Sequence, residues 1–156
     1  MAAQHCNSRI VPRKCHVASE FLNAKPLKAL TLHQPFAQLC ADGRKQIETR
    51  SWSTTYRGPL AIHAGQTLDR DFAMECGYDP HTLARGAVVC VVMLRDCEPM
   101  PAMHFHRWLK TITQEEQRFS IYSPGRFAWR LQLERVLAIP HVVRGTQGLW
   151  TVAVGL

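Results

Sequence analysis

The sequence lacks any hydrophobic run long enough to cross a membrane. Its longest apolar stretch, Ala87 to Leu94, is far shorter than the roughly 20 apolar residues that a membrane-spanning helix needs. Residues 1–26 also lack the apolar segment that marks a secretory signal. We therefore expect a cytoplasmic protein that does not contact a membrane.

Metal-binding and cofactor-binding motifs are also absent from the sequence. The six cysteines include no C-x-x-C pair, and the spacing of Cys6, Cys15 and His16 matches no zinc motif. Cys40 and Cys90 lie in apolar segments, where a free thiol behaves as a small hydrophobic group. No glycine-rich loop of the dinucleotide-binding or P-loop type occurs. We expect reduced cysteines, no metal and no cofactor.

Acidic residues are scarce relative to basic ones. The 156 residues contain 19 Lys and Arg against 12 Asp and Glu, so the formal net charge is +7 and the pI is near 9.4. This balance favours an anionic partner, with nucleic acid first, although a merely soluble basic protein has the same composition. Hydrophobic residues make up 46% and charged residues 20%, which is typical of one soluble domain of this length.

The chain divides into a short N-terminal part and a longer body. Residues 1–26 show no sustained hydrophobic period, and their basic residues outnumber their single acid, Glu20. The basic residues of this part are Arg9, Arg13, Lys14 and Lys25. We interpret residues 1–26 as a basic extension that is partly disordered, and residues 27–156 as one folded domain.

Short strands dominate the predicted elements, and helices are few. Alternating apolar residues and Pro/Gly punctuation predict strands at 28–33, 45–50, 59–64, 87–94, 126–140 and 149–154. Short helices are predicted after Pro35, at 69–76, at 79–86 and at 105–110, and Thr113 to Glu116 fits a helix-capping box. This pattern indicates an α+β, β-rich fold, as a small barrel or a curled sheet.

The densest group of polar residues lies between residues 42 and 58. This segment contains, in order, Lys45, Glu48, Arg50, Trp52, Tyr56 and Arg57. On an ideal strand Glu48 and Arg50 share one face, whereas Lys45 lies on the other face or in a preceding turn. Glu48 could then pair with either cation and orient it toward a phosphate or carbonyl oxygen. An edge strand with solvated charges is the alternative interpretation.

Two segments in this region resemble a known family. ALTLHQPFA at residues 29–37, followed by GRKQIETR at 43–50, resembles the ASCH domain family, whose signature is G-x-K-x-x-E-x-R. The matching positions are Gly43, Lys45, Glu48 and Arg50. The segments SW at 51–52, YRGPL at 56–60 and GLW at 148–150 are similar to the transcription-coactivator-type branch of that family. The resemblance covers roughly residues 28–154.

The resemblance implies a PUA-like fold, which is a small curled β-barrel with flanking short helices. It also implies a cleft lined by the motif residues and a ligand that is nucleic acid, RNA first, or a nucleotide. Fold kinship is a weak guide to function by itself, so the hypotheses below are stated residue by residue.

The first functional hypothesis is a nucleic-acid-binding module. Lys45, Arg50 and Arg57 are the candidates for contacts to phosphate, and such binding would weaken steeply with salt. Glu48 would accept an amino hydrogen of a base or orient Lys45. These four residues form the polar part of the expected ligand site.

Aromatic and additional basic residues extend this hypothesis. RNA readers stack unpaired bases on aromatic or guanidinium planes, so Trp52 and Tyr56 are candidates for stacking. Arg126 and Arg130, on one face of the long strand near the C-terminus, would enlarge the basic surface. The simpler alternatives are core packing for Trp52 and plain solvation for the two arginines.

The second hypothesis is a hydrolase, and the third is a protein-interaction module without nucleic acid. One branch of the resembled family removes an N-acyl group from a modified cytidine with a lysine, a threonine nucleophile three residues later and a distant glutamate. Lys45 fits the first position, but Glu48 occupies the nucleophile position and has no hydroxyl. Glu48 could instead be the general base, with Lys45 stabilising an oxyanion. A ribonuclease, in which His33 and His63 act as general acid and base, is another form of the hydrolase hypothesis.

Overall fold

The computed structural model describes residues 25–154. Nearly all of the predicted basic extension, residues 1–24, lies outside this range, as do residues 155–156. In chain order the elements are β1 (Lys25–Gln34), α1 (Phe36–Ala41), β2 (Ile47–Arg50), β3 (Gly58–Leu68), α2 (Arg70–Glu75), β4 (Ala87–Pro99), α3 (Phe105–Leu109), α4 (Gln114–Gln117), β5 (Phe127–Val142) and β6 (Leu149–Val154).

All six of these strands belong to one sheet, in the order β2-β5-β4-β3-β1-β6. Neighbouring strands are antiparallel except for β1 and β3, which run parallel with Lys28 opposite Leu60. The two end strands, β2 and β6, are not paired with each other in the described range. The sheet is therefore curled but not closed, so it is only approximately the predicted curled barrel, and the α+β, β-rich class is confirmed.

The main core lies against the central strands. The first six residues of β4, starting at Ala87, are all buried, because its side chains enter both the main core cluster and a second cluster that contains Val88. On β5, Trp129 and Leu131 are buried, and Phe127 and Leu133 pack against the same cluster. The predicted alternation of β5 is thus confirmed. Burial of each large side chain contributes about 1.5–3 kcal/mol.

Helix α1 ends at the glycine that the sequence predicted. Gly43 has a φ of +72°, in the left-handed region that glycine adopts without a steric penalty. The Gly43 N–H donates to the carbonyl oxygen of Cys40 at 3.1 Å, and the Lys45 N–H donates to the carbonyl oxygen of Leu39 at 3.0 Å. The motif therefore begins in a turn, and β2 starts at Ile47, two residues later than predicted.

Helices α2 and α4 are short and capped by side chains, whereas α3 has no side-chain cap. At the start of α2, the Asp69 side chain accepts a hydrogen bond from the N–H of Phe72. At the start of α4, the Thr113 side chain accepts a hydrogen bond from the N–H of Glu116, as the capping box at 113–116 predicted.

The helix predicted at 79–86 is wrong. That segment forms a single turn, in which the Thr82 N–H donates to the Asp79 carbonyl oxygen. Its end bonds to the sheet instead: the Gly86 N–H donates to the carbonyl oxygen of Ala64 in β3 at 2.7 Å.

Residues 25–154 include no helix with the length and apolar character that a bilayer crossing requires. The four cysteines in this range are free. Cys40 and Cys90 are buried, and burial raises the pKa of the Cys40 thiol well above its usual value and that of Cys90 to about 12. Both thiols therefore act as small hydrophobic groups in the core.

Candidate functional site

Lys45 occupies an enclosed position behind β2. Its side chain has 0% exposed area, and its Nζ donates to the carbonyl oxygens of Ile47 at 2.6 Å and Phe119 at 2.8 Å. The Ser120 hydroxyl oxygen also contacts Nζ. A buried ammonium group is tolerated only when its hydrogens are bonded, and these partners meet that need. Lys45 thereby joins β2 to the segment between α4 and β5.

Glu48 lies between two cations of the motif. Its Oε2 is 3.3 Å from the Nζ of Lys45, and its Oε1 is 3.2 Å from the Nε of Arg50. The second contact is an ion pair without hydrogen-bond alignment, because this Nε has no hydrogen-bond partner among the described residues. The Glu48 side chain is only 12% exposed, so salt screens these attractions less than it screens surface pairs. Lys45, Glu48 and Arg50 thus form a connected group with a net charge of +1.

Arg50 spans the opening of the curled sheet. Its Nη2 donates to the carbonyl oxygen of Thr31 at 3.2 Å. Arg50 ends β2, which is one edge of the sheet, whereas Thr31 lies in β1, next to the other edge strand. The guanidinium group therefore supplies a link between two parts of the sheet that backbone pairing leaves apart.

A cleft opens beside Glu48 and Arg50, and we call it the motif cleft. It consists of two hollows of about 360 and 500 Å³ that share Thr31, His33 and Arg50. The first is also lined by Leu32, Phe36, Glu48, Thr49, Arg118, Phe119, Ser120, Ile121 and Arg126, and the second by Trp52, Gly145, Thr146, Gln147 and Gly148. These volumes fall in the range of small-ligand sites, about 300–1,000 Å³. Lys45 lies behind this wall.

Positive charge exceeds negative charge in the motif cleft. Arg50, Arg118 and Arg126 line it, whereas Glu48 supplies the only carboxylate among its lining residues. The Arg126 Nη2 donates to a main-chain carbonyl of β2 at 2.9 Å, and its Nε is buried with no partner in the described part of the chain. Arg118 forms an exposed ion pair with Glu75 at 3.2 Å, a type of contact that contributes little stability.

The predicted aromatic and basic residues after the motif separate into two groups. Trp52 is half-buried, lines the second hollow and lies edge-on to Trp129 at 4.8 Å between ring centroids. Tyr56 packs against the core, and its hydroxyl donates to a main-chain carbonyl three residues later. Arg57 pairs with Asp96 of β4 at 3.0 Å. Trp52 therefore belongs to the motif cleft, and the structure places Tyr56 and Arg57 outside its lining.

The two candidate histidines are in different surroundings. His33 is exposed and lines both hollows of the motif cleft. His63 is 2% exposed, its Nε2 lies 2.9 Å from the carbonyl oxygen of Val143, and its ring lies edge-on to Trp150. His63 lines a neighbouring hollow of about 430 Å³, which shares Thr31 and Gly145 with the second hollow of the motif cleft. The acid–base pair stays a prediction, with His33 open to the cleft and His63 enclosed beside it.

Arg126 and Arg130 do not form one basic surface. Arg126 precedes β5 and bends toward β2, as its hydrogen bond there shows. Arg130 lies within β5 and faces the neighbouring strand β4, where its Nε donates to Glu98 at 2.9 Å. Arg130 lines a different hollow, together with Arg44 and Glu116. Only Arg126 belongs to the motif cleft.

Sequence reasoning missed the segment between α4 and β5. This segment brings Arg118 and Ser120 to the cleft. The capping box predicted α4, but the position of α4 depends on Glu116, whose carboxylate accepts the N–H groups of Gln46 at 2.7 Å and Ile47 at 3.1 Å. Burial raises the pKa of this carboxyl group. Helix α4 has the sequence QEEQ, so no pattern of apolar residues signalled that Glu116 is buried.

The family assignment follows from the whole of this arrangement. The family model described as ASCH domain matches residues 30–139, which is more than half of the chain. The chain therefore belongs to the ASCH domain family, and the six-stranded sheet with short helices has the β-rich architecture that this resemblance predicted. It is 29% identical over 133 residues to activating signal cointegrator 1 of Homo sapiens and 26% identical to that of Mus musculus. Each alignment covers 78% of this chain but 21% of the relative, so the chain spans about a fifth of their length.

Two solved structures are also similar. The crystal structure of ASCH from Zymomonas mobilis has a TM-score of 0.49 and 12% identity, covering 74% of this chain and 72% of that one. A mutant of the same protein has a TM-score of 0.43 and 15% identity, covering 70% and 73%. Structural similarity at these TM-scores carries no argument about the function of the site.

Proposed function

We propose that this protein binds nucleic acid, with RNA favoured, through the motif cleft. The observation that carries the proposal is the charge of the cleft: three guanidinium groups face one carboxylate. That carboxylate, Glu48, is already neutralised by Lys45 and Arg50. Planar guanidinium groups match phosphate oxygens, and the net charge of +7 attracts a polyanion.

The arginines of the cleft are the phosphate contacts. The Nη1 group of Arg126 forms no hydrogen bond within residues 25–154, and Arg118 becomes available when its exposed pair with Glu75 opens. Arg50 keeps its link to Thr31 and presents the rest of its guanidinium group to the cleft. Lys45 acts as a positioning residue, because its Nζ is enclosed and holds Glu48 in place.

The base of one nucleotide occupies the cleft beside Trp52 and His33. Both rings lie at the hollow of about 500 Å³, where an unstacked base has a planar partner. Glu48 accepts an amino hydrogen of that base from the adjoining hollow. Tyr56 and Arg57 take no part in this arrangement, since they lie outside the cleft lining.

Equilibrium binding of a labelled single-stranded RNA to Arg126→Gln tests the proposal. The glutamine amide retains a donor for the β2 carbonyl but has no charge, so we expect affinity to fall about fivefold near 0.1 M salt. The slope of log affinity against log salt should decrease in magnitude by about 0.7. Arg135→Gln is the matched control, because Arg135 is exposed and outside the cleft. Equal losses in the two variants would contradict the proposal.

A small hydrolase is the second candidate function, and one cluster of polar side chains at the motif cleft favours it. The Ser120 hydroxyl contacts the Lys45 ammonium group and lines the cleft beside Glu48, so a hydroxyl, a cation and a carboxylate lie together. Incubation with N4-acetylcytidine and with a short RNA tests this function. Turnover that Glu48→Gln abolishes would support it, and intact substrates after prolonged incubation with wild-type protein would exclude both reactions.

The proposal includes a cytoplasmic location. The four free cysteines of the described range fit a reducing compartment, where thiols stay unpaired. Fractionation of cells that express a tagged full-length chain tests this location. Recovery of the chain in a secreted or membrane fraction would contradict it.

A further inference from the structure

A second basic concavity lies beside helix α3, and we call it the α3 hollow. It has a volume of about 700 Å³ and is lined by Ala102, His104, Phe105, His106, Arg107, Lys110 and Pro124. No acidic residue is among these lining residues, and none occurs between Pro101 and Thr113 in the sequence. The α3 hollow is therefore electropositive and separate from the motif cleft.

The cations of the α3 hollow have no acidic partners. Five arginines elsewhere lie within 3.2 Å of a carboxylate: Arg44, Arg50, Arg57, Arg118 and Arg130. By contrast, Arg107 and Lys110 form no ion pair with any residue in the range 25–154, and both are exposed. Their charges remain free to meet an anion.

An aromatic ring lies among these cations. Phe105 is half-buried, lines the hollow and stacks on Trp108 with ring centroids 6.0 Å apart and an interplanar angle of 25°. His104 places a second ring in the hollow from a left-handed backbone conformation, with a φ of +63°, which is uncommon for a non-glycine residue. Planar rings among free cations are the combination that binds single-stranded nucleic acid.

One loop connects the α3 hollow to the motif cleft. Pro124 lines the former and Arg126, two residues later, lines the latter. Two consecutive Cα steps span at most about 7.6 Å, so the two concavities adjoin along this loop. The N–H of Met100, just before the α3 segment, donates to the carbonyl oxygen of Arg126 at 2.8 Å and fixes the loop in place.

We infer that the α3 hollow is a second contact site for single-stranded RNA, binding the phosphates and bases that flank the nucleotide in the motif cleft. This inference rests on the proposed function of that cleft. RNA passes from Arg126 over Pro124 to Arg107 and Lys110, and Phe105 offers a stacking surface. A ligand of two or three nucleotides fills the motif cleft alone, whereas a longer strand occupies both sites.

The test compares two RNA lengths on the full chain. Fluorescence anisotropy measures affinity for a random-sequence ten-nucleotide RNA and a random-sequence trinucleotide, with wild-type protein and the double variant Arg107→Gln/Lys110→Gln. The control double variant is Lys28→Gln/Arg135→Gln, which removes one lysine and one arginine of equal exposure class on β1 and β5. Circular dichroism verifies that all three proteins are folded.

The α3 variant should bind the longer RNA about tenfold more weakly near 0.1 M salt, with a salt slope smaller in magnitude by about 1.4. Its affinity for the trinucleotide should match that of wild type, and the control should retain nearly all affinity for both. Unchanged affinity of the α3 variant for the longer RNA would overturn this inference and leave the motif cleft standing. Failure of wild-type protein to bind either RNA would overturn the cleft proposal and this inference together.

Discussion

The two basic residues of the motif are only five positions apart, yet their surroundings are opposite. The Lys45 side chain is fully enclosed and its Nζ is surrounded by four oxygen-bearing groups. The Arg50 side chain is 26% exposed, lines the motif cleft and retains donors toward it. The charge of a motif residue and its position in the sequence therefore do not determine its role. Burial and partners make Lys45 a residue of the framework and Arg50 a residue of the ligand site.

Replacing Lys45 should have the largest effect. Lys45→Ala leaves the Glu48 carboxylate partly buried beside one cation and leaves the Phe119 carbonyl oxygen without its Nζ donor, whereas the Ile47 carbonyl oxygen keeps the Ser120 hydroxyl. We therefore expect a loss of about 3–5 kcal/mol in the free energy of unfolding. The melting temperature should fall by roughly 10 °C or more. Urea denaturation with Lys110→Ala as control measures this, because Lys110 is exposed and should lose less than about 0.5 kcal/mol. Equal stability of the two variants would place Lys45 at the surface.

Replacing Arg50 should affect both stability and binding. Arg50→Ala removes the donor to Thr31 and one cation from Glu48, so we expect a loss of about 1–3 kcal/mol in unfolding free energy. RNA affinity of the folded fraction should also fall by about fivefold or more. Arg50→Lys retains the charge but not the fork geometry, and should recover part of the binding. A variant that loses stability and keeps full RNA affinity would assign Arg50 to the framework alone.

Arg118 should affect binding with almost no change in stability. Its pair with Glu75 is exposed on both sides, so Arg118→Gln should change unfolding free energy by less than about 0.5 kcal/mol. RNA affinity should fall about fivefold. Glu75→Gln breaks the same ion pair but frees the arginine, and should bind RNA at least as tightly as wild type. Weaker binding by both variants would show that the ion pair, rather than the arginine, matters.

Replacing Glu116, a buried acid, should have the smallest effect of these replacements. Burial raises its pKa in the folded protein, so the fold favours the protonated form. The stability that this shift contributes is present below the pKa of the unfolded chain and is lost as pH rises through the folded pKa. Wild-type protein should therefore lose stability relative to Glu116→Gln as pH rises above the ordinary glutamate range. Denaturation midpoints across pH measure this, and a difference that moves in the opposite direction would contradict it.

Local patterns predicted most of the fold because they act over a few residues. Gly43 ends α1, Thr113 caps α4, and the alternation from Phe127 to Leu133 buries one face of β5, as expected. Closure of the barrel was not predictable in this way, since it depends on whether β2 and β6 meet. The helix expected at 79–86 failed because the end of this segment bonds to the sheet, where the Gly86 N–H donates to the Ala64 carbonyl oxygen.

The candidate site was predicted only in part. The motif identified Glu48 and Arg50, and the segment after it identified Trp52. Two of the partners of Lys45, Phe119 and Ser120, lie more than 70 positions away, and no local pattern reports such a contact. For the same reason the enclosure of Lys45 and the presence of Arg118 in the cleft required the folded structure.

Photochemical crosslinking tests the central claim most directly. RNA that contains 4-thiouridine is bound to the full chain and irradiated, and the modified peptides are mapped by mass spectrometry. The account predicts adducts on the peptides that carry His33 and Trp52, at the mouth of the motif cleft. These adducts should decline when unlabelled RNA competes. Adducts confined to residues outside both the motif cleft and the α3 hollow would contradict RNA binding at this cleft.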